Sequence, residues 1–140
     1  MSCQAHICCL SILVLAMPAA AASDAVSACL DLPSTAQQRQ CAEALYRAAT
    51  LELDEVFSRA VKSASVIDGR PMDPDARPDP ASLAAAITAS QNSWRIYRDA
   101  ECQSVVGHGD GSGRMAWVWG CLAEKTLERI QELKVPFYQR

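Results

Sequence analysis

A glycine-rich segment between two cysteines most constrains what this chain can fold into. Residues 107–113 read GHGDGSG, and four glycines in seven residues cannot continue a helix without a large cost in free energy. The apolar residues on either side recur with a period near 3.6, which is typical of amphipathic helices. The pattern predicts two antiparallel helices joined by this turn, with Cys102 before it and Cys121 after it.

The first residues of the 140-residue chain indicate export. Residues 7–17, ICCLSILVLAM, form an apolar run that is followed by Pro18 and a tract of small residues, as in a secretory signal peptide. The run is shorter than the roughly 20 residues that a membrane-spanning helix needs. A buried N-terminal helix is the alternative, but the run has no polar face to solvate it. We therefore predict a signal peptide at residues 1–22, cleaved after Ala22, and one helical domain at residues 23–140 in the periplasm or outside the cell.

Cysteine usage agrees with this localisation. An even number of cysteines in a small exported domain indicates two disulfides, of which three pairings are open. Spacing favours neighbouring partners. A structural zinc site is the alternative, but no Cys-x-x-Cys pair occurs, so we expect neither a metal nor a cofactor. After signal cleavage the chain keeps four of its seven cysteines: Cys29 and Cys41 as one favoured pair, Cys102 and Cys121 as the other.

A lipid anchor is a second alternative for the N-terminal end. Residues 26–29, VSAC, resemble the motif at which a lipid is attached to a cysteine, here Cys29. Asp24 interrupts the path from the apolar run, and lipidation would leave an odd number of thiols. Both observations weigh against the anchor.

The remaining pattern predicts three main helices and no strands. A segment from Asp68 to Pro80 with four prolines is expected to be a loop. Before it, a helix of about thirty residues begins after Ser34, whose side chain can form a capping box with Gln37. After it, a second helix begins at Asp79–Pro80 and a third spans about Arg114 to Lys134. The predicted fold is an all-α, three-helix antiparallel bundle stapled by two disulfides.

Polar residues share the apolar stripes of the second and third helices. On the second helix the stripe is expected to contain Leu83, Ala86, Ile87, Ser90, Trp94, Tyr97, Glu101 and Val105; on the third it contains Met115, Val118, Trp119, Leu122, Thr126, Arg129, Ile130 and Leu133.

If Cys102 and Cys121 are opposed, Trp94 faces Arg129, Tyr97 faces Thr126 and Arg98 faces Lys125. We expect Arg129 to stack on Trp94, Arg98 to reach Glu124 or Glu128, and Glu101 to lie near Lys125. Such a network would keep its charged heads in water. Catalysis by Asp99 and Glu101 is disfavoured, because residues two apart on a helix point away from each other.

The same residues carry a resemblance to a known family. The chain resembles the LprI-type lysozyme inhibitor domain, which combines a Gln, a Trp, an aromatic-Arg-Asp triplet, a Cys, a Gly-Gly-Ser turn, a second Cys and a Thr-x-x-Arg ending. The resemblance implies an exported helical domain with two disulfides that inhibits lysozyme. Asp110 stands where the family usually has the first glycine of its turn. The matching residues here are Gln91, Trp94, Tyr97-Arg98-Asp99, Cys102, Gly111-Ser112-Gly113, Cys121-Leu122, Thr126, Arg129 and Leu133.

The glycine-rich turn is the candidate surface for binding a partner. A protruding loop with His108, Asp110, Ser112 and Arg114 could enter an enzyme cleft, and Trp117 points away from the apolar stripe of its helix. Two alternatives stay open. The glycines could merely reverse the chain, with Ser112 as N-cap of the third helix, and the front helix could cover Trp117.

Composition narrows the function classes. The net charge of −3 argues against nucleic acid as a partner. No acid, base and nucleophile converge in the pattern. The Gly-x-Ser-x-Gly motif of a hydrolase is not satisfied, because Asp110 and Arg114 stand at its glycine positions around Ser112, so we do not expect an enzyme. We expect a non-enzymatic exported protein that binds and occludes a glycan-cleaving enzyme such as lysozyme; the alternative is an envelope structural or interaction module without inhibitory activity.

Overall fold

The computed structural model describes residues 19–69, 82–109 and 111–135. Within these ranges the chain forms four α-helices: α1 (Ala19–Leu30), α2 (Thr35–Asp68), α3 (Leu83–Ala100) and α4 (Arg114–Lys134). A π-helical segment, Glu101–Val105, and a 3-10 turn, Val106–His108, continue from α3 into the glycine-rich turn. None of the described residues lies in a strand, which confirms the predicted all-α class.

Both favoured cysteine pairings are confirmed. Cys29 and Cys41 join the end of α1 to the start of α2, with a Cα–Cα distance of 5.4 Å. Cys102 and Cys121 join the π-helical segment to α4, with a Cα–Cα distance of 5.6 Å. Each disulfide therefore cross-links two helical segments that follow one another along the chain.

Helix α2 forms as the sequence predicts. The Ser34 hydroxyl accepts a hydrogen bond from the backbone N–H of Gln37 at 3.3 Å and donates to the Gln37 side chain at 2.9 Å. The helix has 34 residues, and its buried face follows a regular spacing of three and four. The apolar period of the sequence also places Ile67 on this face, but Ile67 is exposed and Ala64 is buried instead. The buried residues of α2 are Ala42, Ala49, Leu53, Val56, Ala60 and Ala64.

The core lies mainly between α2 and α4, which share the most extensive helix–helix interface. The residue numbers of contacting pairs rise along both helices, from Tyr46 with Trp119 to Glu52 with Lys134. Helices α2 and α4 therefore run parallel. Alanines on both buried faces allow a close approach of the two backbones. Helices α1 and α3 flank this central pair.

Helix α3 begins later than predicted. Its N-cap is Ser82, whose hydroxyl accepts from the N–H of Ala85 at 3.1 Å, so the predicted start at Asp79–Pro80 is wrong. Asp68, the last residue of α2, accepts hydrogen bonds from the N–H groups of Leu83 at 2.8 Å and Ala84 at 3.0 Å. A carboxylate at a helix N-terminus satisfies free N–H groups and complements the helix dipole. The predicted loop after Gly69 lies outside the described residues.

Helix α1 is an addition to the three predicted helices. Its buried residues Ala22, Val26 and Cys29 share one face, but alanine and serine fill most of the sequence AAAASDAVSACL, so hydrophobicity marks this helix only weakly. Val26 packs on α4 at Gly120, where an added Cβ would come within 3.1 Å of Val26 Cγ1. A side chain at position 120 would therefore push the two helices apart.

The predicted export signal lies mostly outside the described residues. Residues 1–18 are not described, and the expected cleavage position, Ala22, is a buried residue of α1. Signal cleavage and the domain boundary at residue 23 therefore stay predictions. Among the described helices, none is long and apolar enough to cross a membrane.

Candidate functional site

The buried face of α3 differs from the predicted stripe. Gln91 and Arg98 are buried, whereas Ser90 and Tyr97 are exposed. Cys102, which has no exposed surface, determines which face of α3 points inward. Arg98 lies one helical turn before Cys102 and is therefore on the same buried face. The prediction placed the aromatic ring of Tyr97 inside, and the structure places the guanidinium of Arg98 there.

Arg98 is the centre of a buried polar cluster. Its Nε and Nη2 donate to Oδ1 of Asp99 at 2.9 and 2.8 Å, and its Nη1 donates to the hydroxyl of Thr126 at 3.3 Å. Its guanidinium carbon lies 4.9 Å from the ring centroid of Trp94 and 5.5 Å from that of Tyr46. Only 8% of the Arg98 side chain is exposed. A buried charge is tolerated when it is paired and hydrogen-bonded, as it is here.

Arg129 is the centre of a second buried cluster. It lies about one helical turn after Thr126 on α4. It donates to Oε1 of Gln91 at 3.0 Å, to Ser90 at 3.1 Å and to Glu132 at 2.7 Å, and it lies 5.7 Å from the ring centroid of Trp94. Nε2 of Gln91 is buried without a hydrogen-bond partner among the described residues. We call the contacts of Arg98 and Arg129 between α3 and α4 the polar seam.

The predicted network is therefore partly right. The stacking of Arg129 on Trp94 is confirmed. The other pairings shift by one position: Tyr97 contacts Lys125, with 3.3 Å between Oη and Nζ, while Arg98 contacts Thr126. The main wrong expectation is that the charged heads are wet, because both guanidinium groups are buried. Long side chains can reach inward here because the backbones of α3 and α4 approach each other much less closely than those of α2 and α4.

Two further expected contacts of the seam differ as well. Arg98 pairs with Asp99 and not with Glu124 or Glu128, since the carboxylate of its chain neighbour is already within reach. Glu101 borders the same surface cavity as Lys125, but the described residues show no ion pair between them.

The residues of the glycine-rich turn lie at the surface. His108, Ser112 and Arg114 are exposed, and Asp110 lies outside the described residues. Nη1 of Arg114 donates to the carbonyl oxygen of Gly107 at 3.2 Å, which closes the turn on itself. Gly111 has a φ of 119°, a conformation that glycine adopts without strain. The expectation that Ser112 caps α4 is wrong, because the N-cap is Gly113 and no side chain caps it.

Trp117 stands beside this turn and is 58% exposed, so α2 does not cover it. A cleft of about 420 Å³ brings Trp117 together with Gly109, Gly113 and Arg114. A second cavity, of about 370 Å³, lies on the side of Trp117 that faces α1, where Val26 and Leu30 border it. We call His108, Ser112, Arg114 and Trp117 the turn surface.

Sequence reasoning missed Tyr46. Its ring packs on Trp119, with centroids 5.5 Å apart, and lies against Arg98. The signal was present, because Tyr46 continues the spacing of Ala42 and Ala49 on the buried face of α2. No group of three His, Cys, Asp or Glu side chains in the described ranges could hold a metal ion.

Comparisons with known proteins agree with this architecture. The family model described as "Lysozyme inhibitor LprI" matches residues 28–133, which include both disulfides, the polar seam and the turn surface. The uncharacterized protein R02472 of Rhizobium meliloti (strain 1021) is 33% identical over 134 residues, which cover 84% of this chain and 94% of that protein. No solved structure shows a significant match. This chain belongs to the lysozyme inhibitor LprI family.

Proposed function

We propose that this protein is exported and inhibits a glycan-cleaving enzyme such as lysozyme by inserting the turn surface into the cleft of that enzyme. The observation that carries the proposal is the position of exposed Trp117 and Arg114 at one cleft, in a chain that belongs to the lysozyme inhibitor LprI family. Two disulfides support an oxidising compartment outside the cytosol.

The chemistry of the turn surface suits such a target. Enzymes that cleave glycosidic bonds generally carry two carboxylates in a cleft shaped for sugar rings. A guanidinium pairs with a carboxylate through two parallel hydrogen bonds, and Arg114 uses only Nη1 within its own turn. Tryptophan and arginine are the residue types that most often dominate the energy of a protein–protein interface.

A disulfide and a hydrogen bond restrain the described arms of the turn. The Cys102–Cys121 disulfide fixes the separation of the two arms of the turn, and the bond from Arg114 to Gly107 closes it. Rigid binding groups lose less conformational entropy on association than mobile ones. Occlusion requires no catalytic group.

An inhibition assay tests the proposal. We expect the processed protein to slow the lysis of bacterial cell walls by lysozyme, and the variant His108→Ala/Arg114→Ala to lose at least tenfold in potency, as removal of interface residues worth about 1.4 kcal/mol would produce. Trp117→Ala should cause a similar loss. Ile96→Ala is the matched control, because Ile96 is a 73% exposed apolar residue on α3 that borders neither cleft of Trp117.

Two outcomes would contradict the proposal at different levels. Full potency in the His108→Ala/Arg114→Ala and Trp117→Ala variants would show that inhibition uses another surface. No inhibition by the intact protein would reject lysozyme as the target and favour an interaction module of the envelope. Co-purification from envelope extracts would then identify the partner of that module.

A further inference from the structure

A cavity on the other side of α4 from Trp117 borders the polar seam at Asp99 and shares only Arg114 with the turn surface. It has a volume of about 370 Å³, within the range of pockets that bind small molecules. Tyr46, Trp119 and Val118 supply its aromatic and apolar wall, and its polar groups are Asp99, Gln103 and Arg114. Residues from α2, α3, the π-helical segment and α4 therefore meet at one concave site.

Buried Arg98 holds two walls of this cavity in place. Both of its bonds to Asp99 end on Oδ1, and Oδ2 has no partner among the described residues. The same guanidinium lies against the ring of Tyr46, which in turn packs on Trp119. The carboxylate and the aromatic pair are thus fixed by contacts behind the cavity, as in a pre-organised binding site.

The polar groups of the cavity restrict the chemistry of a ligand. A wholly apolar ligand would strip water from Asp99 and Arg114 without replacing its hydrogen bonds. A ligand with several negative charges, such as a phosphate ester, would place more charge near Asp99 than Arg114 can neutralise, and a simple cation would be repelled by Arg114. A single carboxylate held at Arg114 is neutralised there. Gln103 offers both a donor and an acceptor. These groups suit a ring that has one apolar face, several hydroxyl or amide groups and a single carboxylate.

We infer that this cavity binds an acidic saccharide. The apolar face of a sugar ring packs on Trp119 or Tyr46, hydroxyl and amide groups bond to Asp99 and Gln103, and the carboxylate pairs with Arg114. Arg114 belongs to both this cavity and the turn surface, whereas Tyr46, Trp119 and Gln103 belong to the cavity alone. Saccharide binding can therefore be tested apart from inhibition of an enzyme.

Nuclear magnetic resonance tests the inference with two matched sugars. N-acetylmuramic acid carries a lactyl carboxylate that N-acetylglucosamine lacks. Each tryptophan gives one indole N–H signal, and we expect N-acetylmuramic acid to move the signal of Trp119 saturably while that of Trp117 stays in place. N-acetylglucosamine should bind about tenfold more weakly, since it loses one charge-assisted hydrogen bond.

Matched variants connect the signal to the cavity. Gln103 is exposed, and its side chain makes no hydrogen bond among the described residues. Gln103→Ala should therefore fold normally and raise the Kd about fivefold through the loss of a hydrogen bond to the ligand. Gln40→Ala, at an exposed position of α2, should leave the Kd unchanged. No saturable shift of Trp119, or equal weakening by both variants, would overturn the site. Equal affinity for the two sugars would contradict the inference that the cavity recognises a carboxylate. A shift of the Trp119 signal with a free amino acid, but with neither sugar, would contradict the inference that the ligand is a saccharide.

Discussion

Two tryptophans of this protein occupy opposite chemical environments. Trp94 is half-buried against the core and has the guanidinium groups of Arg98 and Arg129 within 6 Å of its ring centroid, at 4.9 and 5.7 Å. Trp117 is 58% exposed and stands beside the glycine-rich turn. Both lie in the region matched by the family model.

The contrast separates residues that hold the fold from residues that are available to a partner. The ring of Trp94 is already engaged by two cations of the same chain. Trp117 keeps most of its surface exposed, and an exposed aromatic ring beside a cation is typical of a binding site. Substitutions in the polar seam should therefore change stability, and substitutions in the turn surface should change binding.

The largest expected loss of stability follows the removal of the central cation of the seam. Arg98→Ala should lower the free energy of unfolding by about 3–4 kcal/mol, because it deletes a buried hydrogen bond to Thr126 and partly buried bonds to Asp99 and leaves a cavity. Urea denaturation measures this change. Arg95→Ala is the control, since the ion pair of Arg95 with Asp54 is exposed and should contribute at most about 1 kcal/mol. Equal losses in both variants would remove the distinction between buried and exposed arginines.

The disulfide between the seam and the turn should contribute slightly less. The variant Cys102→Ala/Cys121→Ala opens a loop with a sequence separation of 19 residues and should lower the free energy of unfolding by about 3 kcal/mol. Amide hydrogen exchange would locate the effect, and we expect faster exchange in the last turn of α3 and the first turn of α4. Faster exchange confined to α1 and the start of α2 would contradict this assignment.

The stacking of Trp94 should have a smaller, measurable energy. A double-mutant cycle with Trp94→Leu and Arg129→Met should give a coupling free energy of about 1 kcal/mol, as a largely desolvated cation–π contact provides. A coupling near zero would mean that the two side chains are neighbours without a specific interaction.

The smallest expected change sharpens the comparison most. Trp117→Ala should alter the free energy of unfolding by less than about 0.5 kcal/mol, because the ring is exposed and the described contacts include no hydrogen bond to it. Thermal unfolding monitored by circular dichroism measures this directly. A loss above 2 kcal/mol would assign Trp117 to the core and leave the turn surface without its main aromatic residue.

The sequence predicts the helices well because their signals are local. Ser34 and the period of α2 mark that helix, and α4 spans the predicted residues Arg114–Lys134. Helix α1 has a weaker signal, because alanine and serine fill most of its positions and its buried face is small. It packs on Gly120 and is joined to α2 by the Cys29–Cys41 disulfide. The start of α3 was missed because one of its caps, Asp68, comes from the preceding helix.

The polar seam shows what periodicity cannot predict. A hydrophobicity pattern ranks Tyr97 above Arg98 as a buried residue, yet burial of Arg98 becomes favourable once Asp99, Thr126 and two aromatic rings surround it. Those partners come from three helices, so no single segment of sequence reveals them. The exposure of the turn surface was predictable from its glycines and from the position of Trp117 off the apolar stripe.

The bonds from Asp68 to α3 have a practical consequence for labelling this protein. Because one carboxylate ties the end of α2 to the backbone of Leu83 and Ala84, the ends of the intervening sequence keep a fixed separation whatever its length. A fluorophore, a surface tether or an affinity tag grafted between these ends would leave the central helix pair and the Trp117 side of the protein unmodified. Immobilisation through that sequence would present the turn surface to soluble enzymes.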